Sequence, residues 1–164
     1  MTEELDGVKK MLDDHEKRIV ELERSLPVGT DTTPAVEGND ADKLARKIGV
    51  PTDKLREVFD VEGEVLTVLK CVGDKEKEKT QNIALLALLG YKFFIKKDGI
   101  LSQEIRRNVA GNKIPLNNFA TYLNELSPRS LLRKGEPKSP KTTYRLTHFG
   151  EATAKEILKT AIGN

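Results

Sequence analysis

The sequence predicts a mainly α chain with a small β ribbon, on three observations. Apolar residues recur at helical spacing through residues 80–95, 102–109 and 116–126, and Gly99, Gly111 and Pro115 punctuate the turns between them. Two short strand-like runs, residues 130–133 and 142–146, flank a tip, GEPKSPK, whose glycine and two prolines break regular pairing. At the front, residues 2–26 carry a heptad pattern. The chain accordingly divides into a coiled-coil-like amphipathic helix over 1–26, a flexible linker over 27–40, a helical hairpin plus strand over 41–75, and a main helix-and-ribbon domain over 76–164.

A length of 164 residues fits one domain with attachments and is enough to bury a real core. The longest apolar run, residues 83–90, is far too short to span a bilayer. The first residues are acidic and lack an apolar stretch, so no signal peptide is expected. One cysteine, Cys71, excludes an internal disulfide and suits a reducing compartment; the expected location is cytoplasmic. The net charge of +2 conceals an asymmetry. Residues 1–40 hold five Lys/Arg against eleven Asp/Glu, a net −6, whereas residues 101–164 hold eleven against five, a net +6. An acidic head and a basic tail imply different partners for the two ends.

In the N-terminal helix, Leu5, Val8, Leu12, His15, Ile19, Leu22 and Leu26 alternate spacings of three and four, as a and d positions do. About three heptads is the shortest run that argues for a coiled coil, so a homodimer through residues 5–26 stands beside a helix packed on its own domain. The linker, PVGTDTTPAVEGND, has no apolar repeat with which to offset ordering entropy. Two helices follow, ADKLARKIG and PTDKLREVF, with Asp40 as a cap, Gly49 as a stop and Leu44, Ala45, Ile48, Leu55, Val58 and Phe59 as the buried face. LARKIGVPTDKLREV also has the spacing of a helix-turn-helix pair, but a linker stands where its third helix should be, which favours a docked hairpin. Residues 64–72, EVLTVLKCV, read as a strand in which Cys71 is a small buried side chain.

The main domain opens on a helix that is apolar most of the way round and therefore buried on several sides. Its Gly90 costs about 1 kcal/mol against alanine, which a close helix crossing would explain. Ile100 and Leu101 predict a short strand pairing with the ribbon, and Ser102 predicts the N-cap of a helix that buries Ile105 and Val109. Leu116, Phe119, Ala120, Leu123 and Leu126 share one face of the next helix; Asn117, Asn118, Thr121 and Glu125 share the other. In the closing segment YRLTHFGEATAKEIL, Tyr144 and Leu146 fall on one strand face toward the core, Thr147 caps a helix, and Ala154, Ile157, Leu158, Ala161 and Ile162 form its stripe.

That segment resembles the winged helix-turn-helix superfamily of transcription regulators, where a Tyr-x-Leu-Thr-x-x-Gly-x-x-x-Ala pattern recurs; here it is Tyr144, Leu146, Thr147, Gly150 and Ala154. The resemblance covers about residues 79–162. It implies a winged helix domain over 76–164 whose helix at 116–126 stands where a recognition helix would. Asn117 and Asn118 have the side chain that pairs bidentately with adenine, and Thr121 one that meets a thymine methyl. No Lys or Arg lies between Leu116 and Leu126, a departure from the common DNA-binding pattern. The ribbon supplies cations instead: Arg129, Arg133, Lys134, Lys138, Lys141 and Arg145 against Glu136 alone, with Arg106 and Arg107 extending the patch. Such a run suits phosphate contact, which releases condensed counterions.

Catalytic machinery is not expected. His15 and His148 stand apart with no cysteine or histidine at metal-ligand spacing, and no P-loop, GxGxxG or GxSxG occurs. Neither a cofactor nor a membrane is expected. Two functions remain: a DNA-binding, regulator-like protein that contacts duplex phosphates through its basic ribbon, or a protein-interaction adaptor without nucleic acid.

Overall fold

The computed structural model describes residues 38–136 and 138–163. The heptad helix with His15, the dimer contact through 5–26 and most of the linker lie outside them. The described chain is mainly helical with two small antiparallel sheets. In order it runs α1 (Gly38–Ile48), α2 (Thr52–Leu55), β1 (Phe59–Glu62), β2 (Val65–Val68), α3 (Glu76–Gly90), a π-helical turn (Tyr91–Ile95), β3 (Gly99–Leu101), α4 (Ser102–Gly111), α5 (Phe119–Leu126), β4 (Leu131–Lys134), β5 (Thr143–Leu146) and α6 (His148–Gly163).

Helix α3 is the hub because its second half has no polar face. From Ile83 to Gly90 every residue is buried, and α4, α5, α6 and β2 all pack on it. Its amphipathic neighbours each lay one apolar stripe against it: Ile105 and Val109 from α4, Phe119 and Leu123 from α5, Ala154, Leu158 and Ala161 from α6. The expected faces of α5 and α6 are observed, with Ile157 and Ile162 half-buried at the stripe's edge.

The predicted ribbon is present, and it gains the third strand expected at Ile100. The sheet order is β3-β5-β4, with Ile100 opposite Tyr144 and Leu131 opposite Leu146. Ile100, Leu131, Tyr144 and Leu146 turn into the core, as period-two alternation requires. Thr147 caps α6 as expected, its hydroxyl accepting from the Gly150 amide at 2.9 Å.

Six details differ. The second helix of the front pair is one turn long, and Phe59 begins a strand rather than ending a helix. The segment FDVEGEVLTV alternates buried and exposed residues on both sides of Gly63, which takes φ +60°, so β1 and β2 close a hairpin. The strand expected over 64–72 ends at Val68, and Cys71 is exposed. Gly90 answers the hairpin rather than a helix crossing: a Cβ there would stand 2.5 Å from Leu66 Cδ1 and 3.1 Å from Phe59 Cε1. Ser102 is the first helical residue of α4 and not its cap; Leu101 holds the cap position, its amide donating to Glu104 Oε2 at 3.2 Å. Asp40 likewise falls inside α1, where its carboxylate meets Lys96 at 2.6 Å and Lys43 at 3.3 Å.

Candidate nucleic-acid interface

The ribbon tip does not project freely. After β4, Gly135 takes φ +112°, a backbone state that favours glycine. The Ser139 amide donates to the Glu136 carbonyl and the Thr142 amide to the Ser139 carbonyl, both at 3.1 Å, while the Thr142 hydroxyl closes on the same Glu136 oxygen. The Ser102 amide then donates to the Thr142 carbonyl at 2.7 Å, tying the ribbon to the start of α4. These bonds satisfy backbone groups that the proline-broken tip cannot pair across a ladder.

The folded tip borders a groove of about 550 Å³ that is also walled by the beginnings of α4 and α5. Arg106, Asn117 and Lys138 meet there, three of the residues expected to contact nucleic acid. A second, smaller groove of about 400 Å³ crosses the ribbon itself, and its lining includes Leu132, Arg133, Lys134 and Arg145. All six ribbon cations are exposed. Arg133 Nη1 donates to Asn124 Oδ1 at 2.6 Å, which fixes the ribbon against α5. Arg145 lies 3.8 Å from Asp98, an exposed and weak pairing. Arg129 stacks 4.2 Å above the Phe149 ring.

Other expected contacts are not gathered in. Arg107 leaves the groove and donates to the Tyr91 hydroxyl at 3.0 Å, next to the β hairpin whose Leu66 amide donates to the same oxygen at 3.3 Å. Asn118, Thr121 and Lys141 are exposed but line neither groove. Asn118 donates to the Tyr122 hydroxyl at 3.3 Å, and Glu125 is taken by Lys77. Burial pushes the Tyr144 hydroxyl's pKa up against the opposing pull of Arg133, so this ring beneath the ribbon stays neutral and structural.

Gln103, Ser139 and Pro140 line the first groove without having been singled out, because nothing local in the sequence shows that the tip folds back over α4. A second charged cluster was also missed. Lys92 and Lys155 share Glu151 at 2.6 and 2.7 Å, and Lys47 and Lys155 both stand over the Phe93 ring. Burial pushes the Glu151 carboxyl up, but its hydrogen bonds from Lys155 and Lys92 and their charges outweigh that and hold it at about 2. The cluster joins α1, the π turn and α6, so we assign it a structural role.

Among the described residues, no helix is long and apolar enough to cross a membrane, and no group of three or more His, Cys, Asp or Glu side chains is placed to hold a metal ion. No protein-family model, curated protein or solved structure matches this chain.

Proposed function

We propose that residues 76–163 form a winged helix-turn-helix module, with β4 and β5 as the wing, and that the protein is a binding module for duplex DNA rather than an enzyme. The order α3, β3, α4, α5, β4, β5, α6 is compatible with that fold. The observation that carries the DNA reading is the ribbon: six exposed cations against the single carboxylate of Glu136 between residues 129 and 145. Binding of this kind is dominated by phosphate contact and falls steeply with salt. Affinity, more than sequence readout, is what this surface supplies, since α5 offers Asn117, Asn118 and Thr121 but no cation.

A gel-shift series with random-sequence duplex at rising salt tests the proposal. Retardation at low salt that fades as salt rises is expected; no retardation even at the lowest salt refutes it. One observation favours a second reading, a protein-interaction adaptor: the exposed face of α5 is uncharged apart from Glu125, which Lys77 neutralises. Affinity capture from nuclease-treated extract separates the two, because a stoichiometric protein partner that survives nuclease treatment supports the adaptor.

A further inference from the structure

We propose that the groove between α4, α5 and the ribbon tip binds a purine mononucleotide. Its volume of about 550 Å³ lies within the ~300–1,000 Å³ typical of small-molecule sites. Two cations line it, Arg106 and Lys138, and no carboxylate does. Arg106 is held in place by a ring, its guanidinium carbon 5.2 Å from the Phe119 centroid. Among the described residues no protein acceptor takes its N–H groups, whereas Arg107 and Arg133 spend theirs on Tyr91 and Asn124. A guanidinium oriented by stacking, with its donors open, presents the planar fork that suits phosphate oxygens.

Lys138 supplies the second charge from the opposite wall. The tip that carries it is braced by its own backbone bonds and by the Ser102–Thr142 tie, which joins its backbone to the start of α4. The remaining lining matches a base better than a bare anion. Leu116 and Pro140 offer apolar surface, and Gln103 and Asn117 each bring an amide donor beside an amide acceptor, the pair that an adenine edge requires. A duplex is too wide to enter a groove of this volume, while a mononucleotide fits inside it. The inference therefore stands apart from the DNA reading, and its test contains no DNA.

Titration calorimetry of the full chain with adenosine monophosphate, and separately with inorganic phosphate, decides it. One saturable site per chain is expected for the nucleotide, with inorganic phosphate at least about tenfold weaker. Arg106→Ala and Lys138→Ala should each weaken the nucleotide about tenfold, the loss of one charge-assisted contact, with Arg106→Lys in between and Lys159→Ala unchanged. Arg106 and Lys138 are exposed, so unchanged thermal unfolding of the variants should show that the loss is local. Absence of saturation at millimolar nucleotide, wild-type affinity in both alanine variants, or phosphate binding as tight as the nucleotide overturns the proposal.

Discussion

Gly90 shows how one residue is decided by its neighbours. By helix propensity alone, alanine at this position should stabilise α3 by about 1 kcal/mol. The Leu66 and Phe59 side chains already occupy the space a Cβ would need, at 2.5 and 3.1 Å, and both are buried. Overpacking costs about 1–3 kcal/mol and should prevail. Gly90→Ala is thus expected to lower the urea midpoint; a raised midpoint would mean that the hairpin yields easily. Glu151 makes a pH prediction at the same scale. Its folded-state pKa of about 2 lies below the ordinary 4.5. A depressed carboxylate contributes stability that is present above the unfolded value and lost as pH falls from about 4.5 toward 2. With solvent screening at half-exposed Lys92, the contribution should be on the order of 2 kcal/mol. Denaturant unfolding at pH 7 and near pH 2 checks it: Glu151→Gln should be the less stable protein at pH 7, and the gap should close in acid.

Among the elements, the β1–β2 hairpin owes its position to two asparagines on α4. Asn108 is buried, accepts from the Val68 amide at 2.7 Å and donates to the Leu66 carbonyl at 3.2 Å. Asn112 donates to the Val68 carbonyl at 2.9 Å. These side chains meet the free edge of β2 as another strand would, and so blunt it. Asn108→Ala would leave a buried amide and carbonyl unpaired, costing about 2–3 kcal/mol. Hydrogen exchange provides the local readout: the Val68 amide should exchange faster in the variant, out of proportion to amides in α6. The ribbon is a contrasting element, with an inner face made of core residues and an outer face made of charge. Replacing outer cations should therefore change binding without unfolding the sheet.

For the whole molecule, the net charge runs from −6 over residues 1–40 to +6 over residues 101–164. If the ribbon meets duplex phosphates, replacing Arg133, Lys134, Lys138 and Lys141 with alanine should flatten the slope of log affinity against log salt by about 3–4, near one unit per lost phosphate contact. Equal slopes for the wild-type and fourfold variant would refute phosphate contact through these side chains. The heptads over residues 5–26 make a separate prediction of dimerisation. Light scattering should give twice the monomer mass for the full chain and the monomer mass for a chain starting at Val36; a monomeric full chain removes the coiled coil.

Much of the helix-and-ribbon domain was legible because its information is local. Period-3.6 stripes mark α5 and α6, period-two alternation marks Tyr144 and Leu146, and a threonine before a glycine marks the α6 cap. The run of cations along the ribbon was equally plain, since composition alone reveals it. What only the tertiary structure decided depends on residues distant in the chain. Phe59 is strand rather than helix because Val68 pairs with it, and Gly90 is required because Leu66 reaches it. Arg106 and Arg107 are adjacent in sequence, yet one turns to the groove and the other to Tyr91. Periodicity assigns a residue to a face of its own element; which neighbour covers that face is settled by packing between elements, and no local pattern carries that information.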